Sequence, residues 1–293
     1  MRLGVVGQGF VGTAVKEIMS NYYKVNTFDI KQDCTCDSLQ ELVTNSDIIF
    51  VCVPTPMNTD GSCNIDTVRK VTNDINNFAD NQIVVIKSTV PPGTTERLNV
   101  ENDNIDVIFN PEFLTEANFI EDFKNQDRII VGGDRPATTK VRQMFSVAFP
   151  ETPIVKTSST IAEMVKYMTN SFLATKVSFA NEMKMISDKL GIDYDKVVEY
   201  ATYDDRLGKS HWSVPGPDGK MGFGGSCFPK DINALIKVAE NMDIPPNVIS
   251  AAWDTNLNVR PEEDWKELKG RAVVEDYIEF EDPITKDRKR WAG

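Results

Sequence analysis

The sequence predicts an α/β chain, with a doubly wound parallel sheet over residues 1–157, an all-helical region over 158–262 and a charged tail over 263–293. Three observations carry this reading. Short apolar runs alternate with polar helical stretches through the first 155 or so residues, as in a parallel sheet with crossover helices. A glycine-rich turn, Gly7-Gln8-Gly9-Phe10-Val11-Gly12, directly follows the first of those runs. After Val155 the texture changes to long helical periodicity. As a soft guide, 293 residues make about two domains.

Taken in order, residues 3–6, 24–29, 48–53, 83–88, 106–110 and 128–132 read as strands. Several are β-branched and apolar on consecutive residues, as strands covered on both faces require. Residues 11–20 and 67–78 read as helices. Thr160-Ile161-Ala162-Glu163 has the form of a capping box opening a helix that runs to about Leu190. Ile161, Met164, Val165, Met168, Phe172 and Leu173 recur there at helical spacing, which predicts a broad buried face. Gly191 ends that helix, and another follows near 194–203. The Gly- and Pro-rich stretch 207–229 is too long for a plain connector. Helices resume at 231–241 and 247–260, the second stopped by Pro261. Val248, Ile249, Ala252, Trp253 and Leu257 give the last one an apolar face suited to the core or to a partner helix.

Bulk properties exclude several classes. An apolar content of 41% with 26% charged residues marks an ordinary globular chain. The net charge of -12 argues against loose binding to a nucleic-acid backbone, which needs clustered Lys and Arg. A small phosphate-bearing ligand stays open, because backbone N–H groups hold it whatever the global charge. No apolar run approaches the roughly 20 residues that cross a bilayer. The first residues enter a strand without the form of a signal peptide. A cytosolic location and no membrane partner are therefore expected. Five cysteines, an odd number, fit reduced thiols, and Cys34-x-Cys36 lacks the second pair of a zinc site, so no metal is expected. His211 is the single histidine, and any His–Asp mechanism must run through it.

The glycine turn belongs to a Rossmann-type dinucleotide site. Gly7, Gly9 and Gly12 permit a tight turn, close approach to a pyrophosphate and tight helix packing, while the helix opening at Phe10 and Val11 supplies N–H groups. Asp29 closes the second strand 22 residues after Gly7. An acid there accepts hydrogen bonds from a ribose 2′-OH and repels a 2′-phosphate, which selects NAD over NADP. Lys31 either partly neutralises Asp29 or is a solvated surface lysine.

Cys227 is the cysteine placed for chemistry. In Phe223-Gly224-Gly225-Ser226-Cys227-Phe228-Pro229-Lys230-Asp231 it lies between a flexible approach and a helix start, with a lysine nearby, and both features lower a thiol pKa. With a dinucleotide site this points to covalent oxidation of an aldehyde; the alternative is a small buried residue. Lys166 and Asn170 share a helix face, either solvated or at the edge of a cleft. Glu112 and Glu116 follow a strand, where ligands bind in parallel sheets, and serve either as proton acceptors or as surface decoration.

With these pieces in place the sequence resembles the UDP-glucose/GDP-mannose dehydrogenase family, most nearly its UDP-glucose branch. The resemblance rests on Gly7 to Gly12, Val53-Pro54-Thr55-Pro56, Lys87-Ser88-Thr89-Val90-Pro91, residues 110–116 and 127–133, the Glu163/Lys166/Tyr167/Asn170 helix, Arg206-Leu207-Gly208, and residues 222–231, in family order. It implies that Cys227 carries a thiohemiacetal and then a thioester. Lys166 and Asn170 would stabilise the developing oxyanion. Asp231, Glu112 and Glu116 would move protons or order water, and Thr89 would hold a water near the nicotinamide. Val53, Pro54, Thr55, Thr89 and Glu116 would join the glycine turn, Asp29 and Lys31 around NAD. Glu112, Phe113, Leu114, Lys166, Asn170, Phe223, Gly224 and Gly225 would line the sugar site. Arg206 would reach the substrate of a neighbouring subunit in a homodimer built on the central helices.

The reaction implied takes a nucleotide sugar, UDP-glucose first, and two NAD to the uronate. Family members also carry a C-terminal α/β domain that holds much of the UDP, and the residues after Pro261 are too few for one. Either the loop before Cys227 and the tail replace those contacts, or affinity for the nucleotide is weak. Two other readings stand beside the first: the same chemistry on GDP-mannose or a UDP-N-acetyl amino sugar, and an NAD-binding protein without turnover.

Overall fold

The computed structural model describes residues 1–277, which form two compact units. The first comprises Met1–Thr55 with Ile65–Leu173, and the second Pro56–Asn64 with the residues from Ala174 onward. The boundary lies inside a helix, later than the 157/158 boundary expected.

In the first unit seven strands form one sheet: β1 (Arg2–Val6), β2 (Lys24–Phe28), β3 (Ile48–Val51), β4 (Gln82–Ile86), β5 (Ile105–Phe109), β6 (Ile129–Gly132) and β7 (Ile154–Thr157), in the order β2-β1-β3-β4-β5-β6-β7. Neighbours pair parallel, except that β5 and β6 meet antiparallel at Phe109 and Gly132. Helices α1 (Phe10–Met19), α2 (Leu39–Thr44), α3 (Asp66–Phe78), α4 (Thr94–Glu101), α5 (Phe119–Lys124) and α6 (Ala137–Ala148) connect the strands. One core gathers Val15, Met19, Met144 and Phe145 of α1 and α6 against the sheet. A second gathers Leu42, Val68, Ile75 and Leu98 of α2, α3 and α4. Two separate cores on one sheet are the doubly wound arrangement predicted.

Six strands and two helices lie within a residue or two of their expected places. The edge strand β7 was not foreseen, because Ile154-Val155-Lys156-Thr157 is no apolar run, and Val155 itself is exposed. Helices α2, α4 and α5 have six to eight residues, too few to show a period. In α6, Thr138, Thr139 and Val141 weaken the helical propensity that would have announced it.

Helix α7 (Ser159–Leu190) begins in the first unit and ends in the second. Its expected capping box is not formed. Ser158 caps the helix by accepting from Ile161 N–H at 3.3 Å. The Glu163 carboxylate instead accepts from Gly93 N–H (2.6 Å), Thr95 N–H (2.8 Å) and the Thr95 hydroxyl (2.6 Å), so it caps α4. Of the expected buried face only Val165 and Leu173 are partly buried, Val165 against the core of the first unit. Ile161, Met164, Met168 and Phe172 are exposed, the last two at 67%, while Ala162, Glu163, Lys166, Tyr167 and Asn170 face inward. Ala162 packs on β6 so closely that a Cβ on Gly132 would lie 2.6 Å from its own.

The second unit is helical, with the end of α7, α8 (Tyr194–Ala201), α9 (Phe228–Glu240) and α10 (Asn247–Val259). The apolar face of α10 is used in this unit's own core, Ala252, Ile249 and Trp253 packing with Phe223 and Ile232. The expected tail is folded from its start. Trp265 is fully buried against Trp253, ring centroids 5.2 Å apart, and Met57 pairs with the strand-like run at Ala272 to Val274. The rest of the predicted tail, 278–293, lies outside the described residues.

Candidate active site

The carboxyl ends of β1 to β5 carry the residues expected to hold a dinucleotide, and the loop after β5 carries Glu112, Phe113 and Leu114 of the expected sugar site. Gly7 turns at φ +92°, and a Cβ there would lie 2.6 Å from the Cys52 carbonyl oxygen. At Gly12 a Cβ would lie 1.8 Å from the Gly7 oxygen, so only hydrogen fits where α1 crosses the turn. Gly9, by contrast, faces open space at the cap of α1, and no side chain caps that helix. An open turn at a helix N-terminus fits a pyrophosphate. The Asp29 carboxylate accepts from Gln8 N–H (2.7 Å) and Lys31 N–H (2.7 Å). Two fixed N–H groups orient it, and each oxygen keeps a lone pair for a ribose hydroxyl. Lys31 meets Asp29 through its backbone, with an exposed side chain. Phe10 rests on Phe119, Val53 is partly buried, Pro54 is exposed and Thr55 is buried. The residues present fit NAD.

At the end of β5 the chain Asn110-Pro111-Glu112 carries a carboxylate into the protein. Lys166 Nζ donates to Glu112 Oε1 at 2.9 Å and to the Glu112 carbonyl at 2.7 Å, and Leu114 N–H donates to Oε2 at 2.7 Å. Burial works against the charge of Glu112, but the Lys166 ammonium, the Leu114 N–H and the nearby Lys87 outweigh it and hold the carboxyl below its usual range. Lys166 is 2% exposed and Asn170 6%. The solvated-face reading of that pair is therefore replaced by a buried one. Phe113 lies beneath two cations, Arg128 at 4.2 Å and Lys166 at 5.6 Å from the ring centroid. Thr89 is buried, and Glu116 half-buried. A cavity of about 280 Å³ opens here among Lys87, Glu112, Phe113, Leu114, Phe123 and Arg128. A larger one, about 460 Å³, lies at the opposite ends of the strands, near Arg2, Asp47 and Gln82, away from the ends that bind ligands in such sheets.

In the second unit Cys227 is the cap residue of α9, with Pro229 in the first turn and Asp231 N–H donating to the Cys227 carbonyl at 3.0 Å. Lys230 pairs with the buried Asp231 carboxylate. Burial opposes the Lys230 charge, but Asp231, with Cys227 and Cys63 behind it, raises its affinity for the proton. A helix N-terminus beside an ammonium is a setting that favours a thiolate. The glycine approach to this thiol is held from α10 and beyond. Asn256 accepts from Phe223 N–H (2.7 Å) and donates to the Phe223 carbonyl (3.0 Å), and Asn181 accepts from Gly222 N–H (3.1 Å). The Arg260 guanidinium lies 2.5 Å from where a Cβ on Gly224 would be. It is itself fixed by Asp218 (2.8 Å) and Asp264 (2.7 Å). Gly225 keeps φ +71°, and a Cβ there would meet open space. Arg206 stands apart, its side chain 89% exposed and paired with Asp204.

Residues 32–148 match the NAD binding domain of the UDP-glucose/GDP-mannose dehydrogenase family, and residues 160–258 match its central domain. The chain is 31% identical over 304 residues to the UDP-glucose 6-dehydrogenase AglM of Haloferax volcanii, covering 87% of this chain and 69% of that one. The chain belongs to the UDP-glucose/GDP-mannose dehydrogenase family. Another member, the UDP-glucose 6-dehydrogenase TuaD of Bacillus subtilis, is 32% identical over 83% of this chain and 53% of its own. A UDP-glucose dehydrogenase from Pyrobaculum islandicum superposes with a TM-score of 0.79 at 30% identity, over 87% of this chain and 67% of that one. The chain spans about half the length of the first curated relatives it matches. NAD, expected from Asp29, is the cofactor named for the family's N-terminal domain. No described helix is long and apolar enough to cross a membrane.

Within this family fold, sequence reasoning gave no role to Lys87 and Asn110, though both stand in segments of the resemblance, and missed Asn256 and Arg260. A lysine ending the apolar strand run Ile83-Val84-Val85-Ile86 was a signal, since lysine is almost never buried without a partner. Asn256 and Arg260 sit on a helix face like any other, and nothing local marks them.

Proposed function

We propose that this chain carries out the NAD-dependent oxidation of the primary alcohol of a nucleotide sugar to a carboxylate, with UDP-glucose the first substrate to try. The observation that carries this is a thiol in the opening turn of α9, with Lys230 and the buried Asp231 in the same turn. The buried Lys166–Glu112 pair supports it.

Bound NAD supplies the hydride acceptor, and two are needed for the four electrons from alcohol to carboxylate. The glycine turn would hold its pyrophosphate and Asp29 its ribose. Glu112, kept ionised, takes the proton from the alcohol as its carbon gives up the first hydride and becomes the aldehyde. Cys227 then adds to the aldehyde carbon as a thiolate, forming a C–S bond and an oxyanion. In this reading Lys166 and Asn170 offer an ammonium and an amide to that negative charge. The thiohemiacetal becomes a thioester when its carbon loses hydride, and a water then displaces the Cys227 sulfur. Glu116, Asp231 and Thr89 are the groups that hold that water and accept its proton. In this reading sugar binding falls to Phe113 and Leu114 in the first unit and to Phe223, Gly224 and Gly225 in the second.

A homodimer completes the reading. The apolar face of α10 is spent on its own core, whereas Ile161, Met164, Met168 and Phe172 form an exposed stripe along α7. We assign that stripe to a second copy and Arg206 to the neighbour's substrate. The cytosolic location expected from the sequence goes with this reading.

NADH formation from purified protein with UDP-glucose, GDP-mannose and UDP-N-acetylmannosamine tests the function. Turnover of UDP-glucose supports it, and turnover only of another sugar moves the assignment within the same chemistry. NAD binding with no turnover of any of the three overturns it. The variant Cys227→Ser should form no carboxylate, and uronate made at the normal rate would remove Cys227 from the mechanism.

A further inference from the structure

Lys87 directly follows β4 and is 2% exposed, yet no carboxylate among the described residues pairs with it directly. Its strong partner is neutral. Nζ donates to Asn110 Oδ1 at 2.8 Å and lies 3.4 Å from the Asn110 carbonyl. The Asn110 amide is committed from its other side, Nδ2 donating to the Ile130 carbonyl at 2.7 Å, which turns its oxygen toward Lys87. The Phe123 ring closes the space, 5.5 Å from Nζ to its centroid. A methionine would fill this place without the desolvation that an ammonium suffers.

The charges that face Lys87 show what the ammonium does there. From the loop after β5 the Glu112 carboxylate attracts it and from α7 Lys166 repels it, while the buried Cys52 thiol just after β3, pushed up to about 12, is neutral at neutral pH. Glu112 thus has two buried ammoniums around one carboxylate, and only one of them, Lys166, bonds it directly. Glu121, Asp122, Asp127 and Arg128 line the same cavity. Asn110, the partner of Lys87, is two residues from Glu112 across Pro111, so the turn that carries the carboxylate is anchored at Lys87.

We infer that Lys87 is a positioning residue for Glu112, anchoring the Asn110-Pro111-Glu112 turn and holding the carboxylate in the anionic form that accepts a proton. This rests on the reading of Glu112 as proton acceptor. Burial brings the Lys87 ammonium down to about 8, with Lys166 acting the same way, so it is charged at neutral pH and lost in mild alkali.

The test measures the Glu112 carboxyl directly, by ¹³C NMR of protein labelled at glutamate carboxyls, with Glu112→Gln assigning the signal. In Lys87→Met the titration midpoint of Glu112 should rise by about one unit, a tenfold change in its protonation equilibrium, and Lys87→Arg should bring it back. An unchanged midpoint in folded Lys87→Met overturns the inference. If that variant does not fold, Lys87→Gln, which keeps a donor for Asn110 and drops the charge, is judged by the same criterion. This experiment uses neither sugar nor NAD, so it decides Lys87 even if turnover fails and the proposed function with it. Where turnover is found, the acid limb of the kcat profile should move up in Lys87→Met with the KM for NAD unchanged. A pH-independent loss of kcat would mark Lys87 as merely structural and overturn the inference.

Discussion

Replacing Lys166 with methionine strands the Glu112 carboxylate in the interior with one N–H donor and no direct ion pair. Breaking a buried pair from one side costs about 3–5 kcal/mol, far more than an exposed pair is worth. Urea unfolding of Lys166→Met should show a loss of that order, and carboxylate formation should fall with it. Adding Glu112→Gln should return much of the stability, since no charge is then left alone, while activity stays lost. A double variant as unstable as Lys166→Met would mean that the pair is not what stabilises the turn. At this scale the residue types were legible, but their setting was not. The spacing of Lys166 and Asn170 fits a solvated helix surface as well as a buried one, and only the packing of α7 against the sheet decides between them. Lys87 stands in one of the segments that carry the family resemblance, but its role was not legible, because its partner Asn110 is 23 residues away.

At the scale of elements, Glu163 is the clearest case of a local rule overridden. Thr160 and Glu163 have the spacing of a capping box, yet the carboxylate reaches back 68 and 70 residues to the first turn of α4. Burial raises the Glu163 carboxyl above its usual range despite the bonds from Thr95 and Gly93 that oppose the rise. Glu163→Ala leaves three donors in that turn without this acceptor and should cost about 1–3 kcal/mol, read from urea unfolding. Hydrogen exchange in Glu163→Ala should rise first at Thr95 and its neighbours in α4. Protection unchanged there would return Glu163 to the capping box expected at the start of α7. The strands were easier to place than the short helices, because four or five consecutive apolar residues are a strong signal and six helical residues show less than two full turns.

At the scale of the whole molecule, the segment after α10 is part of the second unit. Arg260 and Lys220 hold the Asp264 carboxylate, and the Arg260 hydrogen bond, against a smaller opposing effect of burial, brings it down to about 2. A carboxyl whose folded value lies below its unfolded one adds stability that is present above the unfolded value and lost as pH falls through the folded one. The window here runs from about pH 4 to about pH 2, and the contribution is about 2 kcal/mol. Asp264→Asn should be less stable by about that amount at pH 7, and its stability should depend less on pH in that window. Equal acid dependence in both proteins would assign the effect elsewhere. The stripe on α7 gives a second prediction at this scale. Wild type should run as a dimer in light scattering, and Met168→Glu with Phe172→Glu should run as a monomer with NAD binding retained. A wild type that is monomeric at assay concentration would leave the stripe without its second copy.

The amino-acid order alone determined the dinucleotide turn, the alternation of strands and helices, the long helix and the cysteine at the head of α9. Each depends on residues within about one turn or one strand of each other, where spacing dictates geometry. Tertiary structure decided which face of α7 is buried, which helix Glu163 caps, where the residues after Pro261 belong and which lysines lose their water. Those outcomes depend on partners tens of residues away, and a buried charge is stable only where a distant segment brings the group that offsets its desolvation.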